Sequence, residues 1–366
     1  MAEVTQLRST LGDWFDSQAL SCAGLGSPLY AALLPAVAER VREGRLDHLL
    51  APLDRWRFGD AMPLRLMGAS HALALSGRAP DLAGVYPSCG GTVPEPIDTA
   101  SLAESVLESL GAHPDHTADF LHRAVQTNET GRASALVLGL SALAASVGDG
   151  APISLVEVGT SAGLNLRMDR FAYLDGESLI GGDANSPVRL SPEWVGGAPG
   201  LHPWLVADRV GVDPHPADSS DPAVALRLRS YLWPDQTERR SRLDGAIALA
   251  GEVPAELVQT DGPMNPNDTA ATLAGLLGDR AGSVPTMVFQ SIMWQYVPTA
   301  ARWPITRAIE EAGERATETE PLVRVTFEPD EFRRDRVAVQ LRRWPGGSGT
   351  LLAHADYHGR WVQPLP

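Results

Sequence analysis

The chain has 366 residues, 44% of them hydrophobic and 20% charged, with a formal net charge of −15. This composition suits a globular protein with a sizeable core, and the length leaves room for two or three domains. The acidic balance argues against a nucleic-acid surface, which needs a basic stripe to neutralise phosphates. All 30 basic residues are arginine. Chemistry that depends on lysine is therefore excluded: a Walker A phosphate loop, a pyridoxal phosphate Schiff base and a lysine nucleophile.

No apolar run approaches the ~20 residues that span a bilayer. The first stretch, MAEVTQLRSTLGDWF, carries acids and lacks the apolar core of a signal peptide. A cytoplasmic location is expected, with a small molecule as substrate and neither membrane nor nucleic acid as partner. Cys22 and Cys89 have no metal or redox spacing and read as free thiols, and no metal site is expected.

Residues 1–150 are expected to form a mostly helical domain. Apolar residues recur at helical spacing over Pro35–Leu50, Leu102–Leu110 and Ala118–Val125. Arg132–Val147 is a long Ala/Leu helix ended near Gly148, and the Gly/Pro-rich stretch Gly77–Pro96 reads as a loop. Just before the long helix, QTNETGR contains Asn128, Glu129 and Arg132. On its own this segment reads as a solvated loop with a helix cap. Beside a ligand site, Asn128 would contact substrate, and Glu129 and Arg132 would form a carboxylate–guanidinium pair with Glu129 as general base.

From residue 151 to 366 the pattern changes to alternating strands and helices, the mark of an α/β fold. Ile153–Val158 reads as a buried strand carrying an embedded acid, Glu157. It runs into Gly159-Thr160-Ser161-Ala162-Gly163 and a helix-compatible run beginning Leu164-Asn165. A polar insertion follows near 170–205, with a short strand at Val188–Leu190. Strands are expected at Ala207–Val212, ending in Asp213, and at Leu257–Thr260, ending in Asp261. Asp268 is expected to cap a helix Thr269–Leu277. A strand Val284–Phe289 leads to Gln290 and Ser291, and a helix Thr299–Glu311 follows. The strand Leu322–Phe327 precedes an antiparallel hairpin, Val337–Trp344 and Thr350–Ala355, around Pro-Gly-Gly-Ser-Gly. Arg360–Gln363 reads as a last short strand.

The turn supports two incompatible chemistries. As Gly159-x-Ser161-x-Gly163 it fits the nucleophile elbow of α/β-hydrolases, with Ser161 as nucleophile and His354 or His358 completing the order Ser…Asp…His. Against that stand the helical stretch before it, the embedded acid and the chain's end soon after His358. As Glu157-x-Gly159-Thr160-x-x-Gly163 it resembles the first motif of class I S-adenosylmethionine-dependent methyltransferases. Ser161 stands where the usual pattern has its middle glycine. In that resemblance Glu157, Gly159, Thr160, Ser161, Gly163 and Asn165 line the cofactor. Asp213 takes the ribose-binding position and Asp261 the adenine-contacting one. Trp233, Arg239, Gln290 and Ser291 would join Asn128 in holding substrate. Trp233 and Arg239 also read as a core anchor and an exposed helix start. The implied fold is a Rossmann-like methyltransferase-type sheet with a C-terminal antiparallel hairpin, behind a helical N-terminal domain.

A second resemblance covers nearly the whole chain. VQTNETGRASAL, VEVGTSAGLNLRMDRFAY, SPVRL, YLWPDQTERRSRL and HGRWVQPL are similar to an uncharacterised bacterial family of actinobacterial type, catalogued as a domain of unknown function. It implies membership without an activity. Three expectations stay open: methyl transfer to a small polar molecule, a non-catalytic ligand-binding protein on the same fold, and a serine hydrolase.

Overall fold

The structure, a computed structural model, describes residues 2–261 and 265–366. Helices come first along the chain: α1 (Ala2–Gly24), α2 (Pro28–Arg42), α3 (Asp47–Leu50), α4 (Met62–Leu75), α5 (Pro80–Val85), α6 (Thr99–Ala112) and α7 (Pro114–His122). After α8 (Ala133–Val147) the strands begin with β1 (Pro152–Val158). Then come β2 (Ala172–Asp175), β3 (Ser178–Gly182), β4 (Arg189–Leu190), β5 (Glu193–Trp194) and β6 (Leu205–Asp213). The helices α9 (Pro222–Ser230) and α10 (Thr237–Glu252) precede β7 (Glu256–Gln259), α11 (Pro266–Gly278), β8 (Thr286–Ser291) and α12 (Thr299–Gly313). The chain closes with β9 (Leu322–Pro329), β10 (Val337–Trp344), β11 (Ser348–Ala355) and β12 (Trp361–Pro364).

Two compact units form, and the division is not the expected one near residue 150. The helical unit takes the chain up to Thr127 and also Asp221–Ser241, while the sheet unit takes Asn128–Ser220 and Arg242–Pro366. The long helix α8 therefore belongs to the sheet unit. Within the helical unit, Ser27 caps α2 by accepting from the Tyr30 N–H, and Pro28 occupies the first turn. Phe15, Leu33, Val37, Leu66, Val106 and Phe120 share one core with Tyr231 and Trp233 from the later segment. Gly68 on α4 lets the Tyr231 ring approach: a Cβ there would stand 2.7 Å from it. The expected loop over Gly77–Pro96 is partly helical, because Pro80 starts α5 at a position where its missing N–H costs nothing.

The sheet unit is mixed α/β with one large, mostly parallel sheet. Its nine strands run in the order β5-β12-β11-β10-β9-β8-β1-β6-β7. The block β7, β6, β1, β8, β9 is parallel throughout, and β10, β11 and β12 add an antiparallel meander. Chain order reverses direction at β1, so the crevice at the carboxyl ends of β1, β6 and β8 is the natural ligand position of such a sheet. Side-chain alternation sends β1 residues to opposite faces. Val156 and Val158 join Val288, Leu273, Ile305 and Ile309 under α11 and α12. On the other face α8 lies along β8 to β11. The span Thr130–Val147 is long and apolar enough to cross a membrane, but 72% of it is buried in the fold, as in a core helix.

Three local expectations change. The run after the glycine turn, Leu164–Arg170, is 3-10 rather than α-helical. The insertion is ordered: β2, β3 and β4 make a small three-stranded sheet, and β5 extends the large one beside β12. Finally, Asn265 takes the N-cap position of α11, and Asp268 sits in the first helical turn.

Candidate functional site at the carboxyl edge

β1 ends in a turn whose backbone is left-handed at every second residue. Gly159, Ser161 and Gly163 have φ of 76°, 51° and 65°. Two of these are glycines, which bear that conformation without cost; Ser161 is the strained one. The turn is also tight against its surroundings. A Cβ on Gly159 would lie 3.0 Å from the Met293 side chain, and one on Gly163 would lie 2.8 Å from Leu257.

The register explains why Asp213 reaches this turn despite the long insertion. Val158 pairs with Val212, so β1 and β6 end level. Gly159 and Thr160 N–H both donate to the Val212 carbonyl, at 2.8 and 3.2 Å. The Asp213 carboxylate then accepts the Ser161 N–H at 2.8 Å through one oxygen and the His215 N–H at 2.8 Å through the other. Each carboxylate oxygen has a further lone pair. Asp261 lies two residues beyond β7, exposed, with its N–H donating to Asp268 at 2.7 Å.

Glu157 is fully buried beneath the turn and accepts from the Thr160 hydroxyl at 2.7 Å. Burial pushes its pKa up to about 8, against the lowering effect of the Thr160 hydrogen bond, with the Asp213 charge adding to the rise. Two buried polar atoms nearby in sequence have no hydrogen-bond partner among the described residues: Ser161 Oγ and Asn165 Oδ1.

The stretch Asn128–Arg132 of the sheet unit closes on this turn. Asn128 Oδ1 accepts the Leu164 N–H at 2.7 Å, and Asn165 Nδ2 donates to the Glu129 carbonyl at 3.4 Å. The Glu129 carboxylate is buried and accepts the Gly131 N–H at 3.0 Å. Arg132 donates to the Tyr357 carbonyl at 3.2 Å, and to the Ser291 carbonyl and hydroxyl at 3.2 and 3.3 Å. One edge thus gathers Asn128, Glu129, Arg132, Glu157, Gly159, Thr160, Ser161, Gly163, Asn165, Asp213 and Ser291.

Gln290, one residue earlier on β8, faces the opposite side of the sheet, as alternation requires. It accepts from Arg324 at 2.8 Å and donates to Glu328 at 3.1 Å. Trp233 and Arg239 belong to the helical unit. Trp233 is buried in its core, with the Arg239 guanidinium 5.6 Å from its ring centroid and Arg239 donating to Gln236.

Two features of the edge escaped the sequence reading. The turn Asp356–Gly359 docks against Gly131: a Cβ on Gly359 would meet the Gly131 carbonyl at 2.1 Å, and one on Gly131 the His358 carbonyl at 2.2 Å. The two glycines in GRA and HGR were the available signal. Glu328 also went unnoticed; its Oε1 gathers the Met293 and Trp294 N–H at 3.1 and 3.3 Å and so shapes the chain after β8.

No curated protein and no solved structure matches the chain at a significant level. A family model described as an uncharacterized protein conserved in bacteria, DUF2332, matches residues 12–363. The chain belongs to that bacterial family.

Proposed function

We propose that this protein binds S-adenosylmethionine at the β1–β6 edge and transfers its methyl group to a small polar molecule on a Rossmann-like, methyltransferase-type sheet. The observation that carries the reading is the left-handed series Gly159–Ser161–Gly163 with the Asp213 carboxylate fastened to its centre. A glycine-type turn brings backbone N–H groups close to a ligand without side-chain obstruction. An acid level with it on the neighbouring strand suits a vicinal diol. The residues therefore fit the cofactor's shape: Gly159 and Gly163 for close approach, Asp213 for the ribose hydroxyls, and Ser161 Oγ and Asn165 Oδ1 as polar atoms without a partner among the described residues. When bound, the cofactor supplies an electrophilic methyl on a sulfonium that departs with the C–S electron pair.

The protein's share is placement. Asn128 holds the turn, Arg132 joins the start of α8 to Ser291 and Tyr357, and Glu129 offers a buried carboxylate for the acceptor's proton. Buried Glu157 stays protonated at neutral pH and adds no fixed negative charge beneath the turn.

Isothermal titration with S-adenosylmethionine and S-adenosylhomocysteine tests the reading. Binding of both is expected, weakened about tenfold or more in Asp213→Ala through loss of a charge-assisted hydrogen-bond acceptor. No binding of either compound sinks the proposal. The strained Ser161 favours a second reading, the serine nucleophile of an elbow. That reading requires a base at the hydroxyl, and Ser161 Oγ has no hydrogen-bond partner among the described residues. Covalent labelling of Ser161 by a fluorophosphonate would replace the first reading with this one.

A further inference from the structure

The meander carries a groove on the sheet face opposite α8. Its volume is about 420 Å³. The floor follows from the register. Gln340 on β10 stands between Thr326 on β9 and Leu351 on β11, and Ala338 stands between Glu328 and His354. Ala338 is the small residue of that second row, so a hollow opens between the carboxyl and imidazole groups. Thr326, Gln340 and His354 offer donors and acceptors on three adjacent strands, across about 10 Å at the usual strand spacing.

The lips are apolar and aromatic. Phe332 lines the groove yet is 92% exposed, Leu351 is 37% exposed, and Trp294 forms another wall. A ring that exposed beside a polar hollow has its faces free, so a flat ligand that stacks on it buries new apolar area. The charge of the lining narrows the choice. Arg324 and Arg336 face Glu328, Asp330 and Glu331. Arg336 is spent on Asp330, at 2.7 Å, and Arg324 donates to Gln290. Two arginines against three acids leave no surplus of positive charge to receive an anion.

We propose that this groove is a second small-molecule site, for an uncharged flat ring with an amide-like hydrogen-bonding edge, the chemistry of nicotinamide or a nucleobase. The ring lies between Phe332 and Trp294, and its edge meets Gln340, Thr326 and His354. The site goes beyond the methyl-transfer reading and stands or falls without it.

Saturation-transfer NMR on the full chain with nicotinamide, uracil and benzoate tests the proposal. The two uncharged rings are expected to bind and benzoate to bind far more weakly. Phe332→Ala and Gln340→Leu alter exposed side chains, so folding is not at issue. Each should weaken nicotinamide about three- to tenfold, the worth of one aromatic or hydrogen-bond contact. S-adenosylhomocysteine titrated against the same variants reads the other site separately and should be unaffected. The proposal is overturned if neither uncharged ring binds, if both variants bind nicotinamide like the wild type, or if benzoate binds as tightly.

Discussion

A single buried acid carries the clearest energetic consequence in the molecule. Glu157 would ionise near 4.5 in an unfolded chain, yet in the fold its pKa is pushed up to about 8 by burial. Between those values the folded chain keeps a proton that the unfolded chain has released. The native state then binds more protons, so stability falls as pH rises and levels off above about 8. Glu157→Gln keeps an acceptor for the Thr160 hydroxyl and removes the penalty. The variant should match the wild type at about pH 5 and exceed it by a few kcal/mol at about pH 9, measured from urea midpoints. A difference that stays flat with pH would show that Glu157 titrates normally. The letters marked Glu157 as notable because an acid interrupts an apolar strand. They could not show that Ser161 shares the left-handed backbone of the glycines beside it, since that conformation is imposed by packing, not by the serine itself. Reading Gly-x-Ser-x-Gly alone left two chemistries open for that reason.

Among the elements, the strands of the parallel block were legible because buried strands read as continuous apolar runs. β1, β6, β8 and β9 each begin within two residues of the expected start. Within the insertion β2, β3 and β5 were not legible, although the equally short β4, β7 and β12 were: pieces of two to five residues are hidden where the surrounding sequence is polar and rich in glycine and proline. The segment after the glycine turn failed as a helix for another reason. Leu164 to Asp169 are all buried, so no polar face exists, and Arg167 turns inward to donate to the Gly163 carbonyl at 2.6 Å. α8 was legible in full, but its placement depends on one residue. Gly139 lies in mid-helix, where alanine would ordinarily gain about 1 kcal/mol of helix propensity. A Cβ there would stand 2.4 Å from Val325 Cγ2 on β9. Val325 is fully buried and belongs to the sheet, so it cannot yield, and overpacking of this kind costs about 1–3 kcal/mol. The clash should win. Gly139→Ala is expected to lower the thermal midpoint, and a rise would mean that α8 is free to lift from β9.

For the whole molecule, local signals were least able to show where the chain divides. A change from helices to alternating elements near residue 150 suggested a boundary there, because composition is read along the chain while cores are assembled in space. The helical core recruits Asp221–Ser241 from far downstream. Asp235 accepts the Ser27 hydroxyl at 2.6 Å and the Leu29 N–H at 2.9 Å, at the start of α2. His71 Nδ1 on α4 donates to the Ser230 carbonyl at 3.0 Å. Tyr231 fills the space that Gly68 leaves, 5.9 Å from the Phe120 ring. YLWPDQ read as a substrate contact is thus, within its own unit, a core anchor with a helix-capping acid. The consequence is testable at a distance in sequence. Tyr231→Ala removes a buried ring from the core and should cost about 3–5 kcal/mol by equilibrium denaturation. Hydrogen exchange should then accelerate in α4 and α7, more than a hundred residues upstream, before it does in β6, which directly precedes the segment. Loss of protection confined to β6 and β7 would instead assign the segment to the sheet.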